Sequence, residues 1–190
     1  MSPPRAPDPR HRFAELYRAL YGDLVRFVQR RTGAGSGSAE DVVAEIFLVV
    51  WRRVADLPAD DDAARAWVYG VARGHLLNTR RGDRRRQALA VRLAEAAPAP
   101  PASGDDDRTA DAAARRVDLA RAWQRLSAGH QEAIALTALD GLSAPRAAEV
   151  LGISPVAYRL RLSRARRALR LHLDHLPRTA PAAPKRTSTP

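Results

Sequence analysis

The feature that most restricts this chain is an interruption in it. Residues 94–107 read Ala-Glu-Ala-Ala-Pro-Ala-Pro-Pro-Ala-Ser-Gly-Asp-Asp-Asp, with no large apolar side chain among them. A stretch of that composition has nothing to bury and reads as a linker. It divides the 190 residues into two candidate domains, 11–88 and 113–175, each of a size that can fold. Residues 89–112 are then a flexible linker and 176–190 a disordered tail, and the proline-rich first ten residues read as frayed.

Both candidate domains have a helical period. In the first, Phe13, Leu16, Tyr17, Leu20, Tyr21, Leu24, Phe27 and Val28 recur at three- and four-residue steps and form one apolar stripe. Gly33-Ala-Gly-Ser-Gly37 ends it. Ser38 is placed to cap a new helix, with Asp41 at its third position, and that helix runs to about Val54. Pro58 and the Asp60–Asp62 run mark a turn and an acidic helix start, and a third helix is predicted over about 63–81. The second domain has helical stretches at about 113–126, 129–139, 144–151 and 155–173, and no segment alternates long enough to argue a strand. The expected fold is all-α: two small helical domains joined by a flexible linker.

The last two helices meet across Leu151-Gly152-Ile153-Ser154. Gly152 suits a left-handed turn, and Ser154-Pro155 combines an N-cap with proline at the first helical position. Two short helices at this spacing form a helix-turn-helix. The second carries Arg159, Arg161, Arg164, Arg166, Arg167 and Arg170, the layout of a helix that enters the major groove.

Charge supports a polyanionic partner. The net charge is +11, and 31 of the 32 basic residues are Arg. With 38 alanines, the composition also carries the mark of a GC-rich genome, so the distribution is more informative than the arginine bias. Residues 67–88 carry net +5 and 151–190 net +8, whereas 32–66 carry net −4. Two separated basic blocks suggest two contact surfaces for nucleic acid. There is no cysteine, hence no disulfide and no thiol chemistry. The longest apolar run, Ile46–Trp51, is far short of the ~20 residues that span a bilayer, and no apolar stretch follows the N-terminal Met-Ser-Pro-Pro. No membrane insertion and a cytoplasmic location are expected.

Three stretches, in order, resemble bacterial RNA polymerase sigma factors of the extracytoplasmic-function (ECF) type. Ala39-Glu-Asp-Val-Val-Ala-Glu-Ile-Phe-Leu-Val-Val-Trp51 is similar to the helix that grips the polymerase clamp. Ala66-Trp67-Val-Tyr-Gly-Val-Ala-Arg73, then Leu77-Asn78-Thr-Arg80-Arg81 and Arg84–Arg86, resembles the segment that melts and reads the −10 promoter element. Gly141-Leu-Ser143, Leu151-Gly-Ile-Ser-Pro155 and Arg161-Leu-Ser-Arg-Ala-Arg166 resemble the −35-reading helix-turn-helix. The resemblance covers about residues 12–88 and 118–171.

It implies a dissociable initiation factor with core RNA polymerase and promoter DNA as partners, and in many members an anti-sigma factor. It places polymerase binding at Asp41, Glu45, Phe47 and Trp51. Asp41 and Glu45 share a helix face, an acidic stripe suited to a protein partner rather than DNA; Phe47 also reads as core. Trp67, Arg73, His75, Asn78, Arg80, Arg81, Arg84 and Arg85 would serve the −10 element, where unstacked bases need polar or aromatic pockets beside a basic track. Ser154, Val156, Ala157, Arg159, Leu160, Arg161 and Arg164 would serve the −35 element, Arg159 against a guanine edge and Arg161 and Arg164 against phosphate. Leu142, Val150, Leu151, Ile153 and Leu162 read as core.

The chain departs from the family pattern at several of these positions. Gly74-His75 stands where Asn commonly follows Ala-Arg, Val156-Ala157-Tyr158 where Gly-Thr-Val is common, Leu160 where Ser is common, and Pro145-Arg146 where an acidic residue is usual. No cofactor and no metal are expected: His172 and His175 lack a third ligand, and the Asp triplets at 60–62 and 105–107 lack the spacing of a calcium loop. No nucleophile–base set suggests an enzyme. The C-terminal half alone suits a stand-alone helix-turn-helix regulator equally well, and a nonspecific basic nucleic-acid binder is a further reading. Only residues 39–86 discriminate.

Overall fold

The structure is a computed structural model, and it describes residues 8–32, 38–79 and 106–175. Seven α-helices occur among these: α1 Pro9–Gln29, α2 Ala39–Arg52, α3 Asp61–Thr79, α4 Asp106–Gln124, α5 Ala128–Ala138, α6 Ala144–Leu151 and α7 Pro155–Asp174, with a 3₁₀ turn at Val54–Asp56. No strand occurs among the described residues.

Local sequence explains most of the boundaries. Asp8 caps α1 by accepting from Arg10 N at 3.0 Å, with Pro9 at the first helical position, so Pro9 and Arg10 are helical rather than frayed. The Ser38 hydroxyl accepts from Asp41 N, and the Ser154 hydroxyl from Ala157 N, each at 3.1 Å. Asp60 accepts from Ala63 N at 2.8 Å and opens α3. Gly152 ends α6 at φ 66°, the left-handed conformation expected of the helix-turn-helix turn.

One further boundary differs from expectation. Helix α4 begins at Asp106, so residues 106–112 belong to a helix and not to the linker. The alanines of 112–114 have the highest helix propensity and outweigh the polar composition of the stretch. Residues 80–105 and the tail at 176–190 lie outside the described residues, as does most of the linker.

Helices α1, α2 and α3 enclose Leu24, Phe27, Val28, Val43, Ile46, Val50 and Val68, all fully buried. Helices α4–α7 enclose Ala122, Trp123, Ala133, Leu136, Ala148, Tyr158 and Ala165. Leu142, Val150 and Leu162 are buried in this second group, with Leu151 and Ile153 packed against it.

The two groups do not stand apart. Helix α6 lies along α3, and the buried side chains of both halves form one continuous core. Beside its apolar contacts, the seam between them carries a cluster of ion pairs. Asp140, at the α5–α6 turn, has a fully buried carboxylate that accepts from Arg30 and, at 3.2 Å, from Arg31. Arg65 of α3 donates to the Asp140 carbonyl at 2.9 Å and to Asp23 at 3.0 Å. Arg73 of α3 forms a fork on Glu132 of α5, at 2.8 and 3.4 Å. Arg146 of α6 reaches Asp60 at 2.7 Å. Arg30 and Arg31 are only 3% and 1% exposed. Burial lowers the Arg31 pKa, an effect that the nearby Asp140 and Glu132 carboxylates oppose.

A candidate promoter and polymerase interface

Helix α2 has two faces. Val43, Ile46, Phe47 and Val50 face the core, which leaves Asp41, Glu45, Leu48 and Trp51 exposed. Phe47 is 3% exposed, with its ring 4.6 Å from Tyr17 and 6.0 Å from Phe13. It therefore has no surface to offer a partner, and its expected place in polymerase docking is corrected to core packing. Trp51 is 41% exposed and rests edge-on against Phe13 at 5.0 Å. Glu45 is not a free carboxylate: it meets His75 of α3 at 3.1 Å.

Helix α3 carries the described part of the expected −10 set. Trp67 is half-buried with the Arg53 guanidinium 5.2 Å above its ring, and Asn78 is exposed. Trp67, His75 and Asn78 line one cleft of about 650 Å³ between α2, α3 and α6, whose far wall holds Arg146 and Glu149. Arg73 points the other way, to Glu132. The cleft thus unites three of the four described candidates and excludes Arg73. Arg80, Arg81, Arg84 and Arg85 lie outside the described residues.

The expected −35 set is presented differently. Val156, Ala157, Arg159, Leu160 and Arg164 form an exposed face of α7, with Val156 66% and Leu160 50% exposed. Arg161 is half-buried, and Ser154 serves as the helix cap. The opposite face is held by a residue that the sequence reading did not single out. Tyr158 is fully buried; its hydroxyl donates to the Ala133 carbonyl at 2.7 Å and lies 2.7 Å from the Thr137 hydroxyl. Burial raises its pKa, so the phenol stays a donor. The only signal for it in sequence is its place in the apolar period with Leu162 and Ala165. Helix α7 packs on α4, α5 and α6, so its outer face is open.

Residues 16–86 match the family Sigma-70 region 2, and residues 116–169 match Sigma-70, region 4. The chain is 36% identical over 167 residues to the ECF RNA polymerase sigma factor SigL of Mycobacterium tuberculosis, covering 86% of this chain and 92% of that one. The chain belongs to the ECF sigma factors. It is a sigma factor that directs transcription initiation. The region 2 match covers the half that a stand-alone helix-turn-helix regulator would lack, and that alternative is set aside.

The RNA polymerase sigma factor CnrH of Cupriavidus metallidurans is 32% identical over 161 residues, covering 82% of this sigma factor and 84% of CnrH. The structure of CnrH in complex with the cytosolic domain of CnrY matches with a TM-score of 0.57 at 25% identity, over 87% of this chain and 89% of that one. The sigma factor RpoE of Bartonella quintana, solved with the anti-sigma factor NepR, shares the fold at a TM-score of 0.55 and 23% identity, over 87% and 96% of the two chains. No described helix of the sigma factor is long and apolar enough to cross a membrane. His175, one of the two C-terminal histidines, closes α7, with its Nδ1 2.6 Å from the Leu171 carbonyl oxygen.

Proposed function

We propose that this sigma factor docks on core RNA polymerase through the exposed face of α2, with Asp41, Glu45 and Trp51 as contacts and Leu48 beside them. Carboxylates on an aromatic-flanked helix inside a basic protein suit a basic protein surface. Trp67, His75 and Asn78 then line the site for unstacked −10 bases. The exposed face of α7 enters the major groove at the −35 element, with Arg159 at base edges and Arg161 and Arg164 at phosphates. The observation that carries this reading is the division of labour on the surface: an acidic–aromatic face on α2, a cleft lined by Trp67, His75 and Asn78, and an arginine-lined recognition helix.

RNA synthesis itself belongs to the polymerase in this reading, and the sigma factor contributes no catalytic step. It dissociates after initiation and acts in the cytoplasm. An anti-sigma factor, the kind of partner solved with the Bartonella quintana RpoE, would have to cover one or more of these surfaces. The test combines the sigma factor with core polymerase and a promoter library and measures specific transcript. Asp41→Arg together with Glu45→Arg should abolish polymerase binding while DNA binding by α7 persists. A wild-type chain that stimulates no template, with core competent for another sigma factor, would overturn the reading.

A further inference from the structure

The ionic seam has a consequence for DNA binding, and that consequence rests on the reading that both promoter elements are engaged at once. Elements named −10 and −35 lie about 25 base pairs apart, roughly 85 Å at 3.4 Å per base pair. Helices α3 and α6 touch, so a chain that reads both elements must open at this seam. The 26 residues between Thr79 and Asp106 reach at most roughly 90 Å when fully extended, enough to allow it.

Opening removes Asp140 and Glu132 from Arg30, Arg31 and Arg73, and the Asp140 carbonyl from Arg65, which keeps Asp23. Guanidinium groups at the end of α1 and on α3 then lose carboxylate partners together, while Arg31 keeps its hydrogen bond to the Phe27 carbonyl and its place over the Phe27 ring. A guanidinium fork matches phosphate by the same planar, two-donor geometry with which it matches carboxylate. The closed seam also leaves donors over: Arg30 Nε and Arg65 Nε are buried without an acceptor among the described residues. We propose that Asp140 and Glu132 occupy, in the closed chain, the places of DNA backbone phosphates, and that Arg30, Arg31 and Arg65, with Arg73, form a second phosphate-binding surface that opening uncovers. Three of these four arginines lie outside the 67–88 basic block and outside the residues assigned to the −10 element.

Such a surface is masked yet accessible. Charged groups recover their hydration when the seam opens, so its ionic part costs less to separate than apolar contact of equal area. DNA and the second domain compete for the same arginines, and free sigma factor is kept from binding polyanions indiscriminately.

The experiment uses the full chain with Asp140→Asn and Glu132→Gln, which remove charge at nearly constant shape. Small-angle X-ray scattering reads compaction, and fluorescence anisotropy on a promoter-free duplex at several salt concentrations reads phosphate contacts. The double variant should be expanded, and its log affinity against log salt should steepen by up to about 3.6, at about 0.9 for each of the four arginines that gains a phosphate. Adding Arg31→Gln and Arg65→Gln should return about half of that slope, about 1.8. An expanded variant with an unchanged slope, or a compact one with unchanged affinity, would overturn the proposal. Circular dichroism establishes that the helices persist. Should the double variant not fold, the wild-type chain must itself expand with rising salt and Glu132→Gln alone must steepen the slope by about 0.9; absence of both overturns the proposal equally. Wild-type transcription with core polymerase tests the underlying reading separately, so a chain that transcribes but fails these measurements sinks this proposal alone.

Discussion

The two helices that would touch the promoter are held in opposite ways. Helix α7 shows its outer face to solvent, with Val156, Arg159, Leu160 and Arg164 exposed and Tyr158 anchoring the inner face. Helix α3 is enclosed: α6 lies along it, Arg73 is engaged by Glu132, and Trp67 stands in a cleft partly walled by Arg146 and Glu149. One surface is preformed and available, and the other is preformed and covered. A rigid, exposed recognition helix needs only local packing to be ready. In the proposed reading, a surface for unstacked bases combines arginines and aromatics that would attract other ligands, and an intramolecular lid would suppress that attraction.

The largest expected effect comes from breaking the lid. Asp140→Ala leaves Arg30 and Arg31 buried without their carboxylate, a loss of about 3–5 kcal/mol if the seam stayed closed. The chain should instead open, and calorimetry should resolve one unfolding transition into two. A single unshifted transition would mean that the seam does not couple the domains. On the open side of the comparison, Arg159→Ala should cost about 1–3 kcal/mol in specific binding and relax the preference at one base pair, measured with a randomised −35 duplex. Arg164→Ala should weaken binding to all sequences alike and reduce the salt slope by about 0.9.

A smaller effect is expected from Tyr158→Phe. It strips the hydroxyl that donates to the Ala133 carbonyl and should destabilise the chain by about 1–2 kcal/mol in urea unfolding. The smallest effect separates the two tyrosines. Tyr69 of α3 is fully buried, edge-on to Phe27 at 5.0 Å, and its hydroxyl has no partner among the described residues. Tyr69→Phe should therefore be neutral or slightly stabilising at pH 7. Desolvation, reinforced by Asp140, pushes the Tyr69 pKa from 10 up to about 12. The phenol's contribution is fully present below pH 10. It falls as pH rises from 10 to about 12, because the unfolded chain releases the proton first. Urea titrations in that window should show less pH dependence for Tyr69→Phe than for wild type.

Much of the fold was legible in sequence because its determinants are local. Ser38 and Ser154 cap, Gly152 turns, and the apolar stripe of α1 buries Leu20, Leu24, Phe27 and Val28 as its period requires. The α6 boundaries agree to the residue. The start of α4 did not follow, since polar composition suggested a linker where alanine propensity sustains a helix. At the site, the faces of α2 and α7 followed from helical spacing, with Phe47 inward as its core reading has it and only its docking role set aside. The cluster of Arg30, Arg31, Arg65 and Asp140 was not legible. Its members lie up to 110 positions apart, and each alone looks like a solvated surface charge.

Sequence alone therefore determined the helices, their caps, the helix-turn-helix and the family, because hydrophobic period, N-caps and turn glycines act within a few residues. Tertiary structure decided which surfaces are free. Whether Arg73 meets DNA or Glu132, and whether Arg31 is solvated or buried, depends on how α3 and α6 pack across the seam. That packing balances desolvation against Coulomb attraction between groups distant in sequence, which no local pattern encodes.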